Sequence, residues 1–536
     1  MSELLLGDEA VGIAAIDAGI SGAFSYPGTP ATEILEFIAK RVGSDGSVSA
    51  RWSANEKVAY EEALGMSFAG KRSIVSMKHV GLNVAADPFI NSALTGAHGG
   101  LVAVVADDPS MHSSQNEQDS RFYGDFAQIP VFEPSNQQEA YDMTREAFEI
   151  SEKFGLPIMV RIVTRLAHSR ANVTRAEPAT VSAEVNIAPE PRDWTLLPVN
   201  ARRRFRRLLD IQGSLREYSA DSPYNKLMLR GPRGILASGL AYNYVLEAIG
   251  VDSSYSLMKV GAYPVPVEMV RKLVSHCEYI LIVEEGYPFI EARLNGILGI
   301  PGKEIRGRQS GDLPADGEMS TDLVRKAMGM PATEASAAAT GLPVRPPALC
   351  KGCPHCDTFH AIIEATSEVK DRILFSDIGC YTLGALPPYN AVHSCVDMGS
   401  SISMALGAAK AGAHPVLCTI GDSTFTHSGM TPLLGAVRED ANITVLVLDN
   451  ATVGMTGGQE TFATGDDLLN LIRGLGVDEE HLISFEPVKR NKKEIVAMMR
   501  REINHRGLSV LIAKRACVQV MRQSVQLKQD KVATPA

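Results

Sequence analysis

The stretch over residues 415–458, PVLCTIGDSTFTHSGMTPLLGAVREDANITVLVLDNATVGMTGG, constrains the fold more than any other part of the chain. An apolar run over 415–420 reads as a buried strand, periodic apolar residues over 431–438 as a helix, and 443–448 as a second buried strand. This is one strand–helix–strand unit, which requires the right-handed crossover of a parallel sheet. The crossover carries Gly421-Asp422-Ser423 and Asp449-Asn450, which follow the two strands, to one edge of that sheet. Asp422 and Asn450 stand 28 residues apart, a separation that one crossover spans. A magnesium ion holding a diphosphate takes one or two carboxylates and completes its octahedron with neutral oxygens and phosphate. Asp422, Asn450 and a backbone carbonyl supply such a set. Asp and Asn are also ordinary loop formers after strands, and the stretch alone leaves both readings open.

The rest of the chain sets the context. At 536 residues it has room for about three domains, and 45% hydrophobic with 21% charged residues is the balance of a soluble globular protein. A net charge of −10 argues against a nucleic-acid or anionic-membrane partner. The local exception, RRRFRR over 202–207, reads as a solvated helix face or an interdomain contact. The first residues are acidic where a signal peptide would be basic, and no apolar run approaches the ~20 residues of a membrane span, so a cytoplasmic protein is expected. Eight cysteines in such a chain do not suggest a disulfide framework, and clustered ones point to metal or redox chemistry.

Residues 1–180 alternate helices, such as 8–17, with apolar strands at 23–26, 73–77, 101–106 and 157–163, as a doubly wound parallel domain requires. Four polar loops follow strands in it: 26–33 (YPGTPATE), 54–57 (ANEK), 77–83 (MKHVGLN) and 106–119. In the second, Asn55 is an N-cap and Glu56 opens a helix, where a carboxylate also serves the helix dipole. Residues 181–229 gather charge and form a connecting segment with a helix over 202–219. A second α/β unit occupies 230–330, an Ala/Thr/Pro-rich linker 331–344, and a third α/β unit 345–520, before a polar tail over 521–536. The expected class is α/β, with three doubly wound domains. Near the start of the third, Cys350-Lys-Gly-Cys353-Pro-His-Cys356 reads as an iron–sulfur run or a structural zinc site.

Nine stretches, SYPGTPATEI, ANEKVAYEEALG, MKHVGLN, DDPSMHSSQNEQDSR, VEEGYPFIE, CKGCPH, DIGCYTLGALPPYN, GDSTFTHSG and DNATVGMTGGQ, spread over 25–459 in one order. Together they resemble the 2-oxoacid:ferredoxin oxidoreductase superfamily, and within it the thiamine diphosphate-binding (alpha) subunits of indolepyruvate ferredoxin oxidoreductases. GDS with DN resembles the GDG…NN motif of thiamine diphosphate enzymes, with Ser423 in place of the last Gly and Asp449 in place of the first Asn. The resemblance implies two thiamine diphosphate-binding-fold domains, 1–180 for the cofactor's pyrimidine and 345–520 for its diphosphate, and a transketolase C-terminal-like domain over 230–330. It implies magnesium on Asp422, Asn450 and the Thr452 carbonyl, with Gly421, Ser423, Gly454 and Met455 also against the cofactor. Glu56 would bond the pyrimidine ring nitrogen, with Thr29 and His79 on the substrate side. A [4Fe–4S] cluster is implied on Cys350, Cys353, Cys380 and Cys517, with Cys356 a bystander, while Cys277, Cys395 and Cys418 read as core residues.

The activity so implied is oxidative decarboxylation of a 2-oxoacid, such as the aryl pyruvate indolepyruvate, to the acyl-CoA, with coenzyme A as cosubstrate. Electrons would leave through the cluster to ferredoxin or another electron-accepting subunit, since no ferredoxin-like module follows Cys517 in this sequence. A second (beta) subunit is implied, making a hetero-oligomer. Two alternatives stand beside this reading: a non-oxidative thiamine diphosphate-dependent 2-oxoacid decarboxylase, and a non-catalytic scaffold subunit of a redox complex.

Overall fold

The run Leu101–Asp107, LVAVVAD, is buried at every position, as befits a strand covered by helices on both faces of a parallel sheet. The structure, a computed structural model, describes residues 2–43, 46–180, 184–187, 191–250, 254–331, 346–370 and 372–522. The expected linker and polar tail fall almost wholly outside these residues. The chain forms two compact units, Met1–Ala338 and Ala339–Ala536, and both are α/β, with mainly parallel sheets flanked by helices.

In the first unit Leu101–Asp107 lies inside a seven-stranded sheet. From one edge its order is Ala262–Tyr263, Val131–Phe132, Ile158–Val163, Leu101–Asp107, Ser73–Lys78, Gly22–Ser25 and Ser49–Trp52. All pairs are parallel except the one made by Ala262–Tyr263. A second sheet of five strands, ordered Glu304–Arg306, Tyr279–Val283, Arg233–Ser238, Ser256–Val260 and Lys226–Met228, is parallel but for its last strand. The two sheets are joined in three ways. The chain leaves Ser256–Val260 and immediately adds Ala262–Tyr263 to the first sheet. One apolar cluster runs from Phe24 and Met77 to Met258 and Ile280. Finally, the fully buried Arg121 and Arg161 bind acids and carbonyls from both sides: Arg121 donates to Glu284 at 2.8 Å and to the Glu285 carbonyl at 3.0 Å, and Arg161 to Asp107 at 2.6 Å. Two buried guanidiniums are tolerated only with partners that complete.

The basic run departs from expectation. The helix expected over 202–219 is two helices, Pro198–Asp210 and Gln212–Asp221, meeting at Ile211. Arg202, Arg203 and Arg206 are exposed, but Arg204 is buried. Its guanidinium donates to the carbonyls of Leu94 at 2.6 Å and Thr95 at 2.7 Å, the C-terminal carbonyls that helix Ala86–Thr95 cannot satisfy by itself. A cation at that end also suits the helix dipole.

The second unit is built on a six-stranded sheet, parallel throughout, in the order Ser394–Cys395, Ile373–Ser376, Val416–Gly421, Thr444–Asp449, Ser509–Lys514, Leu482–Phe485. Val416–Gly421 and Thr444–Asp449 are neighbours, as the crossover requires. The connecting helix starts earlier than its periodicity suggests: a short turn Asp422–Thr424 and a π-turn Phe425–Gly429 precede Met430–Arg438. π-turns of this kind concentrate at functional sites.

Candidate active site

Four neighbouring strands of the second unit end side by side, at Ser376, Gly421, Asp449 and Lys514. Ligands of open parallel sheets bind at such carboxyl ends. Asp422 is buried there, at 2% exposure. Its Oδ1 accepts the Ser423 amide at 2.8 Å, whereas its Oδ2 is buried with no hydrogen-bond partner. Burial first, and then the nearby Asp449 carboxylate, push the Asp422 acid up to about 8. Asn450 and Thr452 are buried beside it and flank Ala451, whose φ of 60° is left-handed and costs an alanine about 1–2 kcal/mol. The Thr452 amide donates to Asn450 Oδ1 at 3.3 Å, and the Thr452 hydroxyl to the Gln459 carbonyl at 3.0 Å. The two strand ends therefore offer one carboxylate, one amide oxygen and one backbone carbonyl, and one of the carboxylate oxygens lacks a partner. These residues fit a hard divalent cation.

The two departures from the GDG…NN pattern have local causes. Asp449 accepts from the Ala451 amide at 3.2 Å, the Thr464 hydroxyl at 2.5 Å and the Gly465 amide at 2.6 Å. All three partners are donors, two of them at the start of helix Gly465–Gly474, so a carboxylate serves better than an amide. Ser423 lies in the helical turn Asp422–Thr424, where no positive φ demands glycine. Gly421 is different, since a Cβ there would come within 2.8 Å of the Tyr381 ring. Gly454 sits against Cys380, with a Cβ falling 3.3 Å from its Sγ, and Met455 is exposed on the same loop.

The cysteines converge next to this site. Cys353 precedes helix Pro354–Ala365, Cys380 opens a 3-10 turn, and Cys517 follows strand Ser509–Lys514. Burial raises the Cys353 thiol to about 12, helped by Cys356, Cys380 and Cys350 facing it. Burial likewise raises Cys380 to about 11, helped by Cys517 and Cys350. A cation held between the cysteines would offset the cost of ionising Cys353 and Cys380. Cys356 also lies near, its Sγ 3.9 Å from the Cys350 carbonyl. The Cys517 amide donates to the Asn450 carbonyl at 3.0 Å, so one loop serves both groups. Arg515 ties the cysteine loop down, donating to the Gly352 carbonyl at 2.8 Å and to Asp357 at 2.7 Å. Cys277 and Cys418 are core residues, but Cys395 is only half-buried, with its thiol 3.8 Å from the Thr382 hydroxyl.

In the first unit, strand ends place a second polar group. Asn55 caps helix Glu56–Phe68 by accepting the Val58 amide at 2.9 Å, which fixes Glu56, 5% exposed, in the first turn. Gly81 is required beside it, because a Cβ would fall 2.6 Å from Glu56 Oε1. Thr29 is half-buried in the loop after Gly22–Ser25, and its carbonyl accepts the Ser113 hydroxyl at 3.1 Å. The buried His79 has Nε2 3.1 Å from the Asn116 carbonyl, so Nε2 donates and Nδ1, buried and unpartnered, is an acceptor. Between these residues lies one that sequence reasoning missed. Lys78 is 9% exposed, donates to the Ser113 carbonyl at 3.0 Å, and packs under Gly28. Burial lowers its ammonium to about 8, although Asp108 and Glu56 both favour the charge. The signal available for it was a lysine closing the otherwise uncharged strand Ser73–Lys78.

Residues 13–197 match the family described as "Pyruvate flavodoxin/ferredoxin oxidoreductase, thiamine diP-bdg", and residues 377–513 that described as "Thiamine pyrophosphate enzyme, C-terminal TPP binding domain". The indolepyruvate oxidoreductase subunit IorA of Archaeoglobus fulgidus is 38% identical, over 99% of this chain and 88% of that one. The protein of the same description from Methanothermobacter thermautotrophicus is also 38% identical, over 96% and 86%. That of Pyrococcus abyssi is 37% identical, over 96% and 85%.

Proposed function

The chain belongs to the 2-oxoacid:ferredoxin oxidoreductase superfamily, and from that premise we propose that it is the thiamine diphosphate-binding subunit of an enzyme that oxidatively decarboxylates a 2-oxoacid, an aryl pyruvate such as indolepyruvate, to the acyl-CoA. One observation carries the reading: the buried, unpartnered Oδ2 of Asp422 beside Asn450 and Thr452. A carboxylate oxygen taken out of water without a partner is costly, and a magnesium ion bearing a diphosphate supplies the missing charge.

In this reading Asp422, Asn450 and the Thr452 carbonyl hold magnesium, and Gly421, Ser423, Gly454 and Met455 border the diphosphate. Thiamine diphosphate, when bound, supplies the acidic carbon that adds to the keto group and the electron sink that decarboxylation needs. Glu56 holds a proton at the pyrimidine ring nitrogen, which sets the tautomer of that ring. Lys78, an ammonium at neutral pH in a half-dry setting, pairs with the substrate carboxylate, while His79 Nδ1 accepts a hydrogen bond and Thr29 borders the keto group. Cys350, Cys353, Cys380 and Cys517 would hold a [4Fe–4S] cluster, which would supply an electron route to a partner subunit or ferredoxin. A second subunit completes the enzyme, and coenzyme A takes the acyl group.

Anaerobic co-purification with the partner subunit tests this. Expected are about four irons per chain, lost in Cys380→Ser and kept in Cys356→Ser, and acyl-CoA as product. A fully folded, iron-free complex that releases only aldehyde would overturn the oxidative reading.

A further inference from the structure

We propose that Asp8, Glu33 and His168, in the first unit, form a binding site for a divalent cation. Each offers one ligand atom, and the three atoms lie within 4.8 Å of one another. His168 Nε2 is 3.5 Å from Glu33 Oε2. Among the described residues this is the one such group of three. None of these residues belongs to the two groups described above.

Proximity alone would be unremarkable for acidic side chains, but Asp8 is not an exposed acid. It is 0% exposed, and neither of its carboxylate oxygens has a hydrogen-bond partner; Glu33 Oε2 is buried without one as well. Nor does Asp8 cap the helix in which it sits, Gly7–Asp17. That role belongs to Glu9, whose Oε2 accepts the Leu6 amide at 2.8 Å. The charges that reach Asp8 are those of Glu33 and Glu9, both acidic, and the one basic side chain of the cluster, His168, is paired with Glu33. A carboxylate in that position must be neutralised by a proton or by a bound cation.

Three features favour the cation. A shared proton needs only two carboxyls, whereas here an imidazole from a third element joins them. Two carboxylates and one imidazole are a mixed oxygen and nitrogen set that suits Mn2+ or Zn2+ and leaves positions for water. The site also has an entry path, because Glu33 lines a cavity of about 530 Å3 whose walls mix Glu9 and Glu36 with Lys40, Arg41 and Arg170, and the His168 side chain is one-third exposed.

The site lies where it would matter. Glu33 is the second residue of helix Thr32–Val42, whose Thr32 hydroxyl accepts the Gly28 amide at 3.1 Å and so holds the loop bearing Thr29. His168 ends helix Thr164–His168, whose Thr164 hydroxyl donates to Asp108 at 2.7 Å, and Asp108 faces Lys78. A cation at this point pins both helices to the start of Gly7–Asp17.

The test uses Mn2+ alone, with the full chain stripped by chelator and kept free of thiamine diphosphate. An Asp422→Ala background removes the other candidate carboxylate, and Mn2+ does not favour the cysteine group. Electron paramagnetic resonance counts free ion, and thermal unfolding gives a second readout. Expected are one bound Mn2+ per chain, a Tm that rises with Mn2+, and binding weakened about 100-fold or more in Asp8→Asn and His168→Gln. Asp8→Asn removes a buried, unpaired carboxyl, so its metal-free Tm should equal or exceed the parent's, which shows that it is folded. No binding by the parent at about 1 mM Mn2+, or binding undiminished in Asp8→Asn, would overturn the proposal and leave a proton-sharing carboxyl pair.

Discussion

Two adjacent strands of the second unit, Val416–Gly421 and Thr444–Asp449, each lead into a buried aspartate, and the two aspartates are opposites. Asp449 accepts three hydrogen bonds from its own loop and the next helix. Asp422 accepts the Ser423 amide on one oxygen and leaves the other buried without a partner. Both are acids at the same sheet edge, yet one holds the fold together and the other is held by it. Burial therefore does not mark a functional carboxylate here. What separates the two is the buried Oδ2 of Asp422, which has no partner.

The widest separation of the two comes from Asp422→Ala. We expect the affinity for thiamine diphosphate in the presence of magnesium to fall about 100-fold or more, by calorimetry. The Tm of the cofactor-free protein should stay level or rise, since an unpaired buried carboxyl is removed. Asp449→Ala should behave in the reverse way. Three hydrogen bonds to a charged acceptor are lost, and we expect about 3 kcal/mol of stability to go with them in denaturant unfolding. If Asp449→Ala instead unfolds like the parent and only binding suffers, the contrast between scaffold and ligand fails.

The contrast extends to the first unit through Lys78, a buried charge that donates to the Ser113 carbonyl. Lys78→Gln should raise KM for the 2-oxoacid about tenfold with a smaller change in kcat. Its lowered pKa gives the sign of a pH effect. Below about 8 the ammonium is present, and as pH rises through that value the charge and the carboxylate contact are lost. KM of the parent should therefore climb above about pH 8, and that of Lys78→Gln should stay flat. The smallest effect is expected of Ser423→Gly. It restores the commoner residue at a helical position, so it should cost about 0.5–1 kcal/mol of stability and barely alter cofactor affinity.

Much of this was readable in the sequence because it follows from local rules. The buried strands announce themselves as apolar runs, the crossover fixes which strand ends are neighbours, and Asn55 marks the start of the Glu56 helix one residue ahead of it. Other features depend on contacts between distant segments. Arg204 looks like part of a solvated basic face, and only the packing of helix Ala86–Thr95 shows that it closes a helix end. Lys78 reads as a charge at a strand end until the Gly28 and Ser113 loops cover it. Asp449 reads only as a departure from the GDG…NN pattern until Thr464 and Gly465 fold back upon it. Asp8, Glu33 and His168 carry no spacing rule at all, since three separate helices bring them together.

The most direct measurement is the turnover of the assembled complex carrying Glu56→Gln. The side chain keeps its size beneath Gly81 but can no longer share an acidic proton with the pyrimidine ring. We expect turnover to fall about 100-fold or more, with thiamine diphosphate affinity changed far less. Turnover equal to the parent's, with the cofactor bound, would contradict the claim that the chemistry runs on this chain.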